Sequence, residues 1–547
     1  MTKIQGVIID PVQRKKFNGE IEIENGKIKK VREVSSEVPD QYIMPGFVDS
    51  HIHIESSLLI PSEFARLAVR HGTVATVSDP HEIANVCGIE GVEYMIENGN
   101  KVPLKFNFGA SSCVPATPFE SAGAELDVDA VESLLKRDDI LYLAEMMNWP
   151  GVLNDDPNVL AKIAAAKKLG KPVDGHAPGL KGEDAQKYAD AGISTDHECF
   201  TIEEARDKLN AGMIIAIREG SAAKNYNALI PLLAEVPEKI LFCSDDKHPD
   251  DLIVGHINLL AARSLELGHD LFDTLRACSV NTVNHYGLDV GLLQPGDPAD
   301  FVVVDDLNKM HVTQTWIDGV CVYKYGSVLF DDVDSTRINN FTKSTFTPDD
   351  FAFETNSTSS TIEVPVIVPE DGELMTGKSM EELTVIDGEV QADPDQDILK
   401  VTVVNRYQKA KPAVGFIKNF GLKDGAIASS VAHDCHNIIA VGASDAQISE
   451  VVNLVMESEG GVAVVNGDQK EVLPLPVGGI MSDRPGDEVG AGYQKLTNMA
   501  KKMGSTLDSP FMTISFMALL VIPSLKMSDL GLFDGDTFEF LYKTESE

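Results

Sequence analysis

Two histidines separated by one residue follow an apolar run near the start of the chain. Residues 42–48 are largely apolar and lead into Asp49-Ser50-His51-Ile52-His53. Alternate side chains of a β-strand share one face, so we expect His51 and His53 to project into the same space. Two neutral imidazoles that converge at a strand end form half of a divalent-metal site. The structural alternative is a pair of buried, hydrogen-bonded histidines, and residues later in the chain decide between the two.

Residue types that bind metals also follow later apolar runs. Eight runs alternate with helical patterns, at residues 46–52, 73–78, 105–111, 140–145, 172–175, 193–196, 213–218 and 240–244. Buried strands that alternate with helices indicate a parallel sheet. Eight such units in about 250 residues are the size of a TIM (β/α)8 barrel, whose active site lies at the C-terminal strand ends. The residues found there are His51, His53, Asp79, His81, Glu82, Glu145, His176, His197, Asp245 and Asp246. The pattern therefore predicts a metal site at one rim of a barrel.

The segments on either side of this region predict further domains. Short alternating strands occur before residue 45, where Asn25-Gly26 is a strong hairpin signal, and recur over 300–320. We expect residues 1–45 and 295–335 to form one small β-sandwich-like domain around a barrel at 46–294. Residues 336–396 have little regular pattern and predict a loop-rich connection. Residues 397–547 predict a C-terminal α+β domain with a helix at 446–456.

Composition argues against several classes of partner. The formal net charge of −39 would repel nucleic acids and anionic membrane surfaces. Seven cysteines are scattered without any Cys-x-x-Cys pair, which favours a reducing compartment over a disulfide framework or a thiolate zinc site. The N-terminus has no signal-peptide pattern, and the most apolar stretch, 511–522, is too short to span a bilayer. We therefore expect a soluble, cytoplasmic protein.

The set of strand-end residues resembles the amidohydrolase superfamily of metal-dependent hydrolases. The positions that match its ligand pattern are His51, His53, Glu145, His176, His197 and Asp245. The resemblance implies two divalent cations held by these residues. Many relatives bridge their cations with a carboxylated lysine, whereas this chain offers Glu145, whose two oxygens can serve the same purpose. Manganese or iron is the implied metal, with zinc as a further option, because imidazole and carboxylate ligands suit all three.

A finer resemblance is to the bacterial type of the adenine deaminase family. It rests on residues 44–57, 78–85, 143–148, 218–221, 243–246, 430–437 and 475–479, and it covers essentially the whole chain. It implies hydrolytic deamination of adenine to hypoxanthine and ammonia, a reaction of purine salvage. Metal-bound hydroxide is the expected nucleophile and Asp245 the expected proton shuttle. The family also implies a homodimer or a larger homo-oligomer.

Several side chains keep alternative roles at this stage. The ring nitrogen beside the attacked carbon needs a proton or a hydrogen bond, for which the candidates are His81, Glu82 and Glu219. Asp79 either contacts substrate or caps a helix that begins near Pro80. Ser221 has the same two alternatives.

Other polar residues near the predicted site have less direct roles. We expect Asp246 to brace its loop and His256 to pack in the middle of a helix over 251–267. His433, Asp434 and His436 form either a lid over the barrel mouth or a local turn network.

Three rival functions are distinguishable. A cyclic-amide hydrolase of the same superfamily, acting on a dihydropyrimidine or hydantoin ring, leaves the C-terminal domain unexplained. An inactive scaffold has no need for costly buried charges. The zinc nucleobase deaminases require a Cys-x-x-Cys pair that this sequence lacks.

Overall fold

Eight parallel strands form the centre of the computed structural model, which describes residues 1–221 and 223–544. They are Phe47–Ile52, Thr73–Ser78, Lys105–Ala110, Ile140–Met146, Val173–Gly175, Thr195–Asp196, Ile214–Arg218 and Ile240–Cys243. The first five pair in chain order in one sheet and the last three in another. Backbone hydrogen bonds cross both gaps between these sheets, from Asp245 N to His51 O at 2.9 Å and from Ser194 N to Val173 O at 2.8 Å. The strands therefore close into the TIM barrel that the sequence predicted.

Helices cover the outside of this barrel. The longer ones are Pro61–Ala68, His81–Gly99, Val128–Leu135, Pro157–Lys168, Gly182–Ala191, Ile202–Asn210 and Ile257–Glu266. Shorter helical segments are Trp149–Leu153, Tyr226–Leu229, Leu232–Glu235, Pro249–Val254, Leu271–Leu275, Arg276–Val280 and Asn281–Tyr286. Several helices begin at a side-chain cap; the carboxylate of Asp156, for example, accepts from the backbone N of Asn158 and Val159.

The single helix predicted over 251–267 is wrong. The chain forms Pro249–Val254 and Ile257–Glu266, with Gly255 and His256 between them. Gly255 is fully extended (φ 173°, ψ 172°), and a Cβ at this position would lie 2.4 Å from the Leu259 side chain. The helical pattern continues in sequence across this point, but the extended glycine interrupts the helix.

A second sheet combines strands from both sides of the barrel sequence. Its members are Thr2–Asp10, Lys15–Glu24, Lys27–Glu33, Tyr42–Pro45, Phe301–Asp306, His311–Ile317, Val320–Lys324 and Ser327–Val328. The two halves join where Phe301–Asp306 pairs antiparallel with Tyr42–Pro45. Ile8, Ile43 and Phe301 are fully buried in one apolar cluster behind this junction. The division of the chain that makes residues 1–45 and 295–335 a separate domain remains a prediction.

The C-terminal part contains both sheets and helices, in agreement with the α+β architecture that the sequence predicted. A nine-stranded sheet contains Thr361–Pro369, Thr376–Ile386, Glu389–Val390, Ile398–Val404, Ala413–Lys418, Ala426–Ser429, Ile438–Gly442, Gly461–Asn466 and Gln469–Pro474. A smaller sheet contains Leu525–Ser528, Gly531–Asp534 and Glu539–Lys543. The helices are Asp445–Glu457, Gly486–Lys502 and Pro510–Phe516. Among helices in the described ranges, none has both the length and the apolar character needed to cross a membrane.

The loop-rich connection predicted over 336–396 is only partly correct. Its second half supplies two long strands, and Thr361–Pro369 pairs in parallel with the distant strand Ala413–Lys418. Such pairing depends on a partner far away in sequence, and the Pro, Gly and Ser residues of the segment conceal it from a local pattern.

Candidate metal-dependent active site

Glu145 lies at the centre of a ring of buried histidines. Its Oε1 is 3.2 Å from His53 Nε2, and its Oε2 is 2.7 Å from His176 Nδ1 and 3.2 Å from His197 Nε2. Asp245 closes the ring, with Oδ1 3.4 Å from His51 Nε2 and 3.2 Å from His53 Nε2. The structure thus brings all six residues predicted as metal ligands together.

The barrel explains why residues so distant in sequence meet. His51 and Glu145 lie near the C-terminal ends of the first and fourth strands, and His176 and His197 directly follow the fifth and sixth. The C-terminal ends of all parallel strands face the same rim. Accordingly, the imidazole rings of His51 and His197 stack with their centroids 4.0 Å apart.

The donor atoms of this ring fit a divalent cation. Within residues 1–221 and 223–544, the buried Nε2 atom of His176 has no hydrogen-bond partner, and those of His51 and His197 face carboxylate oxygens at 3.4 and 3.2 Å without forming a hydrogen bond. A buried polar atom without a partner is costly unless a ligand satisfies it. His53 Nδ1 lies 3.2 Å from the carbonyl oxygen of Asp79, which can orient the ring and keep Nε2 free for a metal. Buried imidazoles and carboxylates in this arrangement form a divalent metal site.

Sequence reasoning missed two charged residues of the site, Glu198 and Arg218. The Arg218 guanidinium donates to both carboxylates beside it, reaching Asp245 through Nη1 and Glu198 Oε2 through Nη2 at 2.9 Å. Burial raises the pKa of Asp245, but Arg218 and the nearby imidazoles outweigh it and hold that pKa well below its ordinary value. Both residues carried a signal, since Glu198 directly follows His197 and Arg218 ends the seventh strand.

Asp79 orients His81 and caps no helix. The helix His81–Gly99 begins without a side-chain cap. The Asp79 Oδ2 is 3.1 Å from His81 Nδ1, and its Oδ1 accepts from Ser111 Oγ at 2.8 Å. His81 Nδ1 also lies 3.4 Å from Glu145 Oε1, so Asp79 acts on the metal site through His81.

The C-terminal segment predicted as a lid reaches the barrel. Glu82 Oε1 lies 2.7 Å from His433 Nδ1, and its Oε2 faces His436 Nε2. Asp434 Oδ1 is 3.8 Å from His81 Nε2. The local-turn alternative holds in part as well, because the backbone N of Ala432 donates to His436 Nδ1 at 3.2 Å.

One cavity connects the two halves of the site. The barrel contributes four of the six predicted ligands, His53, Glu145, His176 and Asp245, together with His81, Glu82, Met147, Glu198, Arg218 and Asp246. The C-terminal part contributes Leu374, His433, Asp434, Phe516 and Leu519. The cavity is therefore charged on the barrel side, whereas the opposite side combines three apolar side chains with His433 and Asp434.

Two residues predicted to contact substrate lie away from this cavity. Glu219 forms an ion pair with Arg263 at 3.2 Å. Ser221 Oγ donates to Asp251 at 2.6 Å and accepts from the backbone N of His248 at 2.8 Å, next to the helix Pro249–Val254. Neither side chain is among those that line the cavity, and of the two alternatives for Ser221 its contact with His248 favours the one at the start of the helix.

Asp246 and His256 have the structural roles that the sequence suggested, although His256 differs in its position. Asp246 lines the cavity, and its Oδ1 accepts from Ser56 Oγ at 2.5 Å, which braces its loop. His256 is packed but precedes its helix, with Nε2 2.7 Å from Asp49 and Nδ1 2.6 Å from Thr73 Oγ1.

Comparison with known proteins agrees with this geometry. The amidohydrolase family model matches residues 42–322, and the model of the adenine deaminase C-terminal domain matches residues 373–539. The chain is 54% identical to an adenine deaminase of Salinibacter ruber over 98% of both chains. It is 53% identical to one of Methanosarcina barkeri over 99% of both, and 52% identical to one of Methanosarcina mazei over 99% of both. The chain therefore belongs to the adenine deaminase family of the amidohydrolases.

Proposed function

We propose that this protein hydrolyses adenine to hypoxanthine and ammonia in purine salvage. The observation that carries the proposal is the ring of histidines around Glu145, in a chain that is 54% identical to an adenine deaminase over 98% of both lengths. The rival cyclic-amide hydrolase would leave the segment that resembles the adenine deaminase C-terminal domain without a role.

We assign two divalent cations to the site, manganese or iron by preference. The two oxygens of Glu145 face different ligands, Oε1 towards His53 and Oε2 towards His176 and His197. This division supports a bridging role for Glu145, with His51 and Asp245 completing the set. When bound, divalent cations supply the Lewis acidity that activates water near neutral pH.

Asp245 is the proposed proton shuttle. Its Oδ2 is held by Arg218, whereas its Oδ1 lies among His51 and His53 at the cavity. A carboxylate fixed by one oxygen keeps the other in place to take a proton from water and deliver it to the departing ammonia.

His81 is the proposed donor to the purine ring nitrogen. Of the three candidates, Glu219 lies outside the cavity and Glu82 is engaged by His433 and His436. His81 lines the cavity, and Asp79 holds its ring through Nδ1. Its Nε2, which lies 3.3 Å from Glu82 Oε1, is the atom that we propose donates to the substrate.

The remaining proposals concern cellular context. The seven free cysteines, without a disulfide among them, support a cytoplasmic location. We propose a homodimer or larger homo-oligomer on the family resemblance.

A direct assay tests the reaction. Purified protein is loaded with Mn²⁺ and incubated with adenine, and ammonia and hypoxanthine are measured together; a parallel sample receives dihydrouracil. We expect equal amounts of ammonia and hypoxanthine, strict dependence on added metal after chelation, and no ring opening. Ring opening of dihydrouracil without ammonia from adenine would replace this proposal with the cyclic-amide hydrolase.

A further inference from the structure

Two histidines of the C-terminal part meet one carboxylate of the barrel. Glu82 Oε1 lies 2.7 Å from His433 Nδ1, and Glu82 Oε2 is in direct contact with His436 Nε2. All three side chains are buried. Glu82 and His433 line the active-site cavity, whereas His436 is not among the residues that line it. His436 therefore reaches the site through Glu82.

The backbone fixes the tautomer of His436. The backbone N of Ala432 donates to His436 Nδ1 at 3.2 Å, so Nδ1 carries no proton and the proton of the imidazole is on Nε2. Burial lowers the pKa of His436 and Glu82 offsets this only in part, which agrees with a neutral ring. Among residues 1–221 and 223–544, neither His436 Nε2 nor Glu82 Oε2 has another hydrogen-bond partner. The N–H of His436 therefore has Glu82 Oε2 as its acceptor.

The turn that carries His436 is itself fixed. The backbone N of His436 donates to the carbonyl oxygen of Ala432 at 2.7 Å, and Tyr407 Oη donates to the carbonyl oxygen of Cys435 at 2.5 Å. His436 has a positive φ of 53°, a conformation that Asn, Asp and His adopt more often than other residues with a side chain. The ring therefore closes onto its own turn and keeps one orientation, with Nε2 towards Glu82.

Glu82, His433 and His436 are also residue types that bind metals, and they lie close together. A cation at this place would need the lone pair of His436 Nε2, because Nδ1 already accepts from Ala432. A neutral imidazole has one acceptor nitrogen, so that lone pair is absent when Nε2 carries the proton. The arrangement therefore favours a hydrogen bond to Glu82 over a third cation.

Glu82 transmits this constraint to His81. Its Oε1 lies 3.3 Å from His81 Nε2, while Asp79 lies 3.1 Å from the other nitrogen of the same ring. We propose that His436 is a positioning residue for the deamination: it donates through Nε2 to Glu82 Oε2 and thereby keeps Glu82 Oε1 beside His81 Nε2. The inference rests on the proposed adenine deamination with His81 as the donor. It gives the C-terminal part a role in the reaction in addition to covering the barrel.

Two substitutions of His436 separate this role from a structural one. The amide nitrogen of glutamine takes the place of Nε2 and that of asparagine the place of Nδ1, so His436→Gln keeps a donor for Glu82 and His436→Asn does not. The positive φ favours asparagine instead, so a purely structural role predicts the opposite order of the two variants.

Steady-state kinetics with adenine give the first readout, on Mn²⁺-loaded enzymes. We expect His436→Gln to keep a kcat close to that of the wild type. His436→Asn should lower kcat by roughly 10- to 100-fold at nearly unchanged KM, because a lost hydrogen bond to a charged group is worth about that factor. His311→Asn, at an exposed histidine outside the cavity, is the matched control and should match the wild type.

Equal kcat values for His436→Asn and His436→Gln overturn the proposal. Fewer bound cations per chain in His436→Gln than in the wild type also overturn it, because His436 would then be a ligand.

A spectroscopic measurement needs no substrate. Nitrogen-15 NMR of histidine-labelled wild type shows which imidazole nitrogens carry protons, and the zinc-loaded form suits it because Zn²⁺ has no unpaired electrons. The His436 signals are identified by their absence from the spectrum of His436→Gln. We expect a protonated Nε2 and an unprotonated Nδ1, and a protonated Nδ1 overturns the proposal. The expected tautomer in a protein that releases no ammonia from adenine would refute the reaction and retain the contact with Glu82.

Discussion

His433 Nδ1 lies 2.7 Å from Glu82 Oε1 and joins the C-terminal part of the chain to the barrel helix that begins at His81. Both residues are almost completely buried, and Glu82 also faces His436. Burial lowers the pKa of His433, but Glu82 and Asp246 outweigh it and raise that pKa to about 9. The contact is therefore a buried charge pair at the boundary between the two walls of the cavity.

Glu82→Gln tests this junction. Removing one partner of a buried pair typically costs about 3–5 kcal/mol, because the other charge stays buried. We expect a lower thermal midpoint and faster amide hydrogen exchange over 430–437, with Glu183→Gln, an exposed helix position, as the control. Exchange over 430–437 at the wild-type rate would show that the pair does not hold this segment.

Glu145→Ala tests the bridging role. Mutation of a residue that only hydrogen-bonds a metal ligand typically lowers metal affinity or activity by about 10- to 100-fold. Glu145 is itself a proposed ligand, so its loss should lower them by more than about 100-fold. We expect metal analysis to show fewer than two cations per chain and adenine turnover to fall accordingly. Glu266→Ala, at an exposed helix end, should match the wild type. Retention of two cations and full turnover by Glu145→Ala would refute bridging.

Asp245→Asn tests the proton shuttle. The amide keeps the size of the carboxylate but cannot carry the proton, and general acid–base help is worth about 100- to 10,000-fold. Turnover should drop by several orders of magnitude, while adenine binding, measured by calorimetry, should survive better wherever the metals stay. Near-normal turnover with the wild-type metal content would leave Asp245 as a ligand alone.

Lys526→Met tests a pH dependence of stability. Lys526 is fully buried, and its Nζ donates to the carbonyl oxygens of Leu374 at 2.7 Å and Phe516 at 3.0 Å, which joins two segments that line the cavity. Burial lowers its pKa from 10.5 to about 7. Between these two values the unfolded chain binds the proton and the folded chain does not, so this group makes stability rise with pH.

The size of the pH-dependent change in stability follows from the shift in the pKa of Lys526. From pH 7.5 to 9.5 the wild type should gain about 2–3 kcal/mol relative to Lys526→Met, measured by urea unfolding. Lys502→Met, at an exposed helix end, should keep the wild-type dependence. The same pH dependence in Lys526→Met and the wild type would show that Lys526 is not the responsible group.

The sequence alone determined the barrel and the ring of histidines and carboxylates that we propose as metal ligands. Both depend on local features, because each buried strand is a short apolar run and each ligand lies within two residues of a strand's C-terminal end. His51, Glu145 and Asp245 could be assigned to one rim because parallel strands in a barrel all end on the same side. The family resemblance could also be recognised from the sequence, because its motifs are short and contiguous.

The tertiary structure decided everything that depends on the direction of a loop or on a distant partner. Arg218 joins Glu198 to Asp245, Asp49 holds His256, and Glu219 turns away from the cavity. None of these contacts follows from spacing, because a loop after a strand end can point towards the barrel axis or outward. The strand Thr361–Pro369 formed by pairing with Ala413–Lys418, and Asp434 entered the cavity because the C-terminal part covers the barrel rim. Packing between distant segments, rather than local pattern, therefore determined the C-terminal wall of the cavity.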